Sequence, residues 1–399
     1  MSKKVVLAYS GGLDTSYCVK YLALEKGLEV HAVLVNTGGF DNEELNAVEK
    51  RALEMGVSGF KALNVEDSFY QDCVRFLIFG NVLKNNTYPL SVSAERVFQA
   101  MAIANYAKGL KSDFVAHGST GAGNDQVRFD LIFQTICPDV EILTPIRDQK
   151  LSREAEIEFL QKHGVEMDWE KAKYSINHGL WGTSVGGAET LTSHKYLPES
   201  AFPSKVEKDT SEQIEITFKQ GEPVALNGNK MEPVALIKAL EKLASAYAVG
   251  RDIHVGDTII GIKGRVGFEA AAPLILVKAH HALEKNVLSK WQLQLKEQLA
   301  SWYGNLVHEG QFLEPALRDI EQFFINSQRN VSGKVRIELN PYRFHILGIE
   351  SPHDLMNNEF GAYGEMNKGW SGEDVKGFSK IFGNQNQIYY KVNSNELKQ

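Results

Sequence analysis

Val5-Val-Leu-Ala-Tyr9, a short apolar run, passes directly into the glycine turn Ser10-Gly-Gly-Leu-Asp-Thr-Ser16 and then into an amphipathic stretch, Ser16–Lys26. Strand, turn and helix in that order make a βα unit, and the pattern recurs. Val30–Val35 precedes Glu43–Met55, and Phe114–His117 reads as a later strand. Such alternation predicts a parallel sheet with helices on its faces. Ligands of these sheets bind at the carboxyl ends of the strands, so the turn at Ser10 stands where a ligand is expected. Glu141–Thr144 adds a short strand, and Ser152–His163 a helix with Ser152 as its N-cap.

The pattern changes after residues 165–170. Gln213–Lys219, Glu222–Leu226, Thr258–Lys263 and Lys334–Leu339 read as strands, with Asn227-Gly-Asn229 as a turn between two of them. Glu232–Ala248 and Leu288–Tyr303 read as helices. A chain of 399 residues exceeds what one hydrophobic core fills. The expected class is α/β: an N-terminal Rossmann-like parallel-sheet domain (residues 1–167), an α+β domain (168–360) and a C-terminal tail (361–399). The tail is polar and Asn-rich, with a helix expected at Ser371–Phe382. It is too small for its own core and is expected to dock on a neighbouring subunit.

A net charge of −7 gives no overall attraction to a polyanion, so no nucleic acid is expected as partner and any phosphate site has to be local. Cys18, Cys73 and Cys137 are widely spaced, which fits a reducing compartment, and no Cys/His cluster points to zinc. Met1-Ser-Lys-Lys4 leads straight into a first strand too short for a signal sequence or a membrane span. A cytoplasmic protein without a membrane partner is the expectation.

Ser10–Ser16 offers backbone N–H groups, hydroxyls and a helix N-terminus to an anion, and Gly11 and Gly12 let the backbone approach it closely. No lysine follows the glycines, which sets the turn apart from a kinase-type P-loop. It resembles instead the pyrophosphate loop of the N-type ATP pyrophosphatases, enzymes that cleave ATP between the α- and β-phosphates and adenylate a substrate oxygen. On that resemblance Asp14, the one anion of the turn, is a Mg²⁺-associated residue facing the triphosphate. Tyr9 and Cys18, read by themselves, are packing residues.

A second glycine-rich turn, His117-Gly-Ser-Thr-Gly-Ala-Gly-Asn-Asp-Gln-Val-Arg128, follows a later strand. Buried, its polar groups would each need a partner, so they are expected to face a polar substrate. Asn124 and Asp125 suit an amine and a carboxyl group, and Arg128 brings a planar fork for a carboxylate or a polarised carbonyl. His117 is either a phosphate contact or an orienting residue, while His280 and His281 fall in a helix-like run and read as structural.

Ala8–Ser16 and Gly123–Phe129, with Tyr88-Pro-Leu90, Ser93, Tyr174-Ser175, Leu180-Trp-Gly-Thr-Ser184, Pro223–Gly228 and Val249-Gly-Arg251, together resemble the argininosuccinate synthase family through nearly all of the chain. The resemblance implies that citrulline's ureido oxygen attacks the α-phosphate of ATP, giving a citrullyl-adenylate and pyrophosphate. The amine of L-aspartate then displaces AMP. By matching motif, Ala8, Tyr9, Ser10, Gly11, Gly12, Leu13, Asp14, Thr15, Ser16, Val35 and Gly118 meet ATP. Thr120, Asn124 and Asp125 match aspartate-binding positions; Tyr88, Ser93, Asn124, Arg128, Ser175 and Ser184 match citrulline-binding ones. Asp14 and Arg128 are the expected catalytic groups, Asp14 through Mg²⁺. The resemblance also implies a homotetramer whose tails cross between subunits.

The citrulline side departs from the family. Where the family carries a citrulline-binding Glu and Tyr, this chain has Gly256 and Phe268; Asn177-His-Gly179 replaces Asp-Glu-Asn, and Ala94-Glu-Arg96 replaces Ala-Arg-Pro. A family lysine is Ala122. Losing a carboxylate beside a substrate ammonium weakens a free α-amine but spares an acylated one. An N-acylated citrulline (N-acetyl or N-succinyl), with Gly256 making room for the acyl group, is therefore the alternative to free citrulline. Equally open is drift, with Asp252, Asp257 or Glu269 standing in. Thiolation of tRNA would need a cysteine pair and a basic surface, and an amidotransferase an N-terminal nucleophile where Ser2 stands. A bare nucleotide-binding module would have no use for the Thr120–Arg128 cluster.

Overall fold

The computed structural model describes residues 2–165, 174–357, 361 and 363–394. The expected domain boundary at 167–168 lies outside the described residues, as does residue 360 before the tail. The chain forms two compact units, Met1–Pro352 and His353–Gln399.

In the first unit β1 (Lys4–Ala8), β2 (Glu29–Asn36), β3 (Gly59–Asn64), β4 (Phe114–Ala116) and β5 (Glu141–Leu143) make the expected parallel sheet, in the order β3-β2-β1-β4-β5. Val5 pairs with Val30 on one side and Phe114 on the other. Both faces are covered, which is why β1 is apolar throughout. Val5 and Leu7 pack with Leu13, Leu22 and Leu160, whereas Val6 packs into the larger core with Ala94, Val97 and Phe98. The chain winds from β1 out to β3 and then returns to β4 on the other side of β1. At that reversal the two following loops diverge and leave a crevice.

Helices Leu13–Leu24, Asn42–Glu54 and Arg153–Lys162 lie close to their expected spans, and Ser152 caps the last by accepting from Ala155 N–H. The Ser91–Leu110 helix was not signalled by periodicity. Ser91, Ser93, Ala94, Glu95, Val97 and Phe98 are all buried, so it presents no single apolar stripe.

Beyond residue 174 the sheets are antiparallel. One runs β11 (Arg251–Asp257), β12 (Lys263–Glu269), β7 (Thr183–Gly186), β6 (Ser175–Asn177); the other runs β10 (Asn229–Lys230), β9 (Glu222–Leu226), β8 (Glu212–Lys219), β13 (Gly333–Asn340), β14 (Arg343–Glu350). The strand expected at Thr258–Lys263 is corrected: residues 258–262 are the turn joining β11 to β12, and Lys263 begins β12. Its isoleucines mimic strand alternation, but Gly261 sits at φ +84° and Thr258 N–H donates to the Ile262 carbonyl, closing the chain on itself. In the second unit Ser371 caps the helix Gly372–Phe382, and a second helix spans Asn384–Val392.

Candidate functional site

The loops after β1 and β4 meet at the reversal. A Cβ on Gly118 would stand 3.4 Å from the Asp14 backbone. Between these loops and the β11–β12 hairpin lies a cleft of about 1100 Å³.

Gly11, at φ +78°, turns the first loop, and its carbonyl accepts from Arg51 at 2.7 Å. Thr15 Oγ1 donates to the Gly12 carbonyl at 3.2 Å and stands 3.3 Å from Ser10 Oγ, which holds both hydroxyls at the loop. No side chain caps the Leu13–Leu24 helix at Gly12, so its first N–H groups are left to the cleft. Ala8 through Thr15, Val35 and Gly118 all line it. Ser16 does not: its N–H is spent on the Gly12 carbonyl and its hydroxyl is buried on the side of Tyr9. Arg51 and Arg153 also line the cleft and supply positive charge where a P-loop would use lysine; the sequence reading missed both. Glu156, behind Asp14, is pushed up to about 8 by burial and by the Asp14 carboxylate. Cys18 is fully buried, with its thiol well above the ordinary range, as a packing residue would be.

Thr120, Asn124 and Asp125 line the cleft from the second loop. Gln126 staples that loop by donating to the carbonyls of Gly121 and Gly123. His117 accepts from Ser119 N–H through Nδ1 and donates from Nε2 to Asp130 at 3.0 Å. The ring thus ties the loop to the Asp125–Ile136 helix, an arrangement that suits an orienting residue, while His117 also lines the cleft. The Asn124 amide oxygen accepts from Ile259 N–H at 2.8 Å, so the hairpin turn reaches the second loop.

Tyr88, Ser93, Arg128, Ser175 and Ser184 line the remaining wall. The Arg128 fork, expected to be open, is largely committed: NH1 donates to Asp125 at 2.8 Å, NH2 to Ser93 Oγ at 3.1 Å and Nε to the His308 carbonyl at 2.9 Å. Burial works to raise the Asp125 carboxyl, yet Arg96 and Arg128 hold it below the ordinary range. Arg96 and His308 are further cleft residues that local sequence did not single out as ligands.

Phe268 does not line the cleft. It is fully buried, with its ring 5.5 Å from that of Tyr88, so the loss of a hydroxyl there suits an apolar setting. Gly256 faces the cleft, but it opens no recess: a Cβ there would stand 2.6 Å from His254 Nε2. The His254 ring, stacked 5.2 Å from Tyr88, stands where a side chain at position 256 would begin. Of the stand-ins considered, Glu269 is held by Arg251 at 2.8 Å and Asp257 by Lys263 at 2.6 Å, while Asp252 pairs its carboxylate with Ile253 N–H.

The family model for the arginosuccinate synthase N-terminal HUP domain matches residues 4–166, and that for the arginosuccinate synthase C-terminal domain matches residues 174–389. The chain is 38% identical to an argininosuccinate synthase of Dictyoglomus turgidum, over 97% of both chains. It is 36% identical to the one of Methanocaldococcus jannaschii, over 98% of both. Against that of Xanthomonas campestris it is 36% identical, over 98% of this chain and 99% of the other.

Proposed function

The chain belongs to the argininosuccinate synthase family, and on that footing we propose how its cleft divides the work of ligating citrulline to L-aspartate with ATP. The observation that carries this reading is the meeting of the two glycine loops at the sheet's reversal, in one cleft.

Ala8–Thr15, Val35 and Gly118 hold ATP, with the open N-terminus of the Leu13–Leu24 helix and Arg51 facing its phosphates. Mg²⁺ fits as an ion carried on the triphosphate. Asp14 is the loop's carboxylate, and among the described residues no cluster of three or more acidic, His or Cys groups makes an all-protein cage. When bound, it neutralises charge on the departing pyrophosphate. Citrulline lies along Tyr88, Ser93, Arg128, Ser175 and Ser184, its ureido oxygen toward the α-phosphate. That oxygen forms a bond to phosphorus as the bond to the bridging oxygen breaks. Aspartate, held by Thr120, Asn124 and Asp125, brings its amine to the activated carbon and AMP leaves. Activation makes AMP the leaving group, so the protein's share is positioning and charge stabilisation.

Because His254 fills the space at Gly256, free citrulline suits this wall better than an N-acylated one. Sustained turnover of ATP to AMP and pyrophosphate only when citrulline and aspartate are both present is the expected result, with kcat/KM for citrulline above that for N-acetyl- and N-succinylcitrulline. The reverse order of kcat/KM overturns the choice of substrate, and turnover without aspartate overturns the reaction.

The assembly is a homotetramer in which the tail packs on another subunit. Supporting this, the tail helices bury none of their side chains and expose Phe378, Ile381, Phe382 and Ile388. Sedimentation of a chain ending near Gly361 tests it: a tetramer unchanged by truncation overturns the role of the tail. Among the described residues no helix is long and apolar enough to cross a membrane.

A further inference from the structure

We propose that His308 is a positioning residue of the citrulline half of the cleft, which fixes the direction of the Ser93 hydroxyl hydrogen; the proposal rests on citrulline lying beside Ser93. His308 ends the helix Lys290–His308 and is 7% exposed in the cleft wall. Its Nδ1 stands 3.1 Å from Ser93 Oγ and 3.5 Å from Arg128 NH2. The Arg128 NH2 also donates to Ser93 Oγ, at 3.1 Å. Ring, hydroxyl and guanidinium thus form a closed triangle.

A guanidinium only donates, so the ring nitrogen that faces it carries a lone pair; a proton there would point at the guanidinium hydrogens. Burial, reinforced by the Arg128 charge, keeps the ring neutral by lowering its pKa to about 3. The single ring proton therefore sits on Nε2, where the backbone of Asp257 acts in its favour.

Ser93 has one hydrogen and two lone pairs. The hydrogen goes to His308 Nδ1, and Arg128 takes one lone pair. What remains for a substrate is one lone pair, so Ser93 receives an N–H and gives nothing. This polarity matters for the chemistry. A hydroxyl that donated to the ureido oxygen would draw electron density from the nucleophile, whereas one that accepts a ureido N–H leaves that oxygen free to attack the α-phosphate.

Two variants of similar size separate positioning from packing. His308→Asn places an amide oxygen near the Nδ1 position; His308→Gln places its amide near Nε2 and leaves the Nδ1 position empty. Loss of the ring alone moves both together. The expected result is a citrulline KM raised at least about fivefold in His308→Gln, with KM for ATP and aspartate within about twofold and His308→Asn near wild type. In a Ser93→Ala background His308→Gln is expected to add less than about twofold, because the interaction it removes is already gone. Equal effects of Asn and Gln, or a full Gln effect without Ser93, overturn the proposal. A Ser93→Ala variant with unchanged citrulline KM instead overturns the placement of citrulline, and this role of His308 with it.

Discussion

Arg96 donates from Nε to Asp125 Oδ2 at 3.0 Å, while Arg128 holds the other oxygen of the same carboxylate at 2.8 Å. The remaining donors of Arg96 reach Asn177 at 2.8 Å and Gln99 at 2.9 Å. Asn177 and Arg96 are both departures from the family pattern, and they touch. So do Glu95 and Gly179, where a Cβ on the glycine would overlap the carboxylate. These residues therefore form contacting pairs on one wall.

Arg96→Gln removes one of the two anchors of Asp125. On the proposed placement of aspartate the carboxylate is then free to rotate away from the substrate amine, and KM for aspartate is expected to rise about tenfold, as for loss of a partly buried charge-assisted hydrogen bond. Steady-state kinetics with aspartate varied at saturating ATP and citrulline check this; an unchanged KM refutes the anchoring role.

Gly11→Ala meets two obstacles. A side chain at φ +78° costs about 1–2 kcal/mol, and the new Cβ would stand 3.3 Å from both Arg51 NH1 and Val48. Chemical denaturation is expected to show a loss of that size, and ATP binding to weaken as Arg51 is displaced from the Gly11 carbonyl.

Gly256→Glu restores the family residue, yet it is expected to lower kcat/KM for citrulline, since its Cβ would stand 2.6 Å from His254 Nε2 and force the ring off Tyr88. Paired with His254→Ala, the same substitution is expected to recover about tenfold or more relative to Gly256→Glu alone, a non-additivity that residues in contact commonly show. Additive effects in the double variant refute the steric coupling.

Glu95 is almost fully buried, and neither carboxylate oxygen has a well-formed hydrogen bond. Burial pushes its pKa up to about 8 from the ordinary 4.5, against the Arg96 charge. The folded chain therefore holds a proton that the unfolded chain releases between those values. Stability from this group is fully present below pH 4.5 and is lost as pH rises toward 8, by up to roughly 1.4 kcal/mol per pH unit. Glu95→Gln keeps the neutral state at every pH. Its melting temperature is expected to exceed wild type increasingly from pH 5 to pH 8; a difference that does not grow across that range counts against the raised pKa.

What the sequence made legible is local. Ser10–Thr15 is readable because turn, hydroxyls and helix start lie within one contiguous stretch, and β1 because its apolar residues are consecutive. Ser16 belongs to the same motif but faces elsewhere, because each helical residue turns the next side chain by about 100°. Arg51, Arg153 and His308 reach the cleft from distant helices, and no spacing rule connects them to Ser10 or Ser93. The surroundings of Gly256 were hidden for a similar reason. Removal of a side chain is visible in sequence, but the ring of His254, two residues away on the same face of β11, fills the gap only in three dimensions.

The Leu13–Leu24 helix begins at Gly12 without a side-chain cap, and its exposed N–H groups belong to the fold as much as to the site. On the proposed placement of ATP, a triphosphate seated there closes the helix as a serine or aspartate would elsewhere. The nucleotide is then a structural component of its own binding domain. A cell low in ATP holds a less stable population of this protein as well as a less active one, with the difference set by mass action on the folded state.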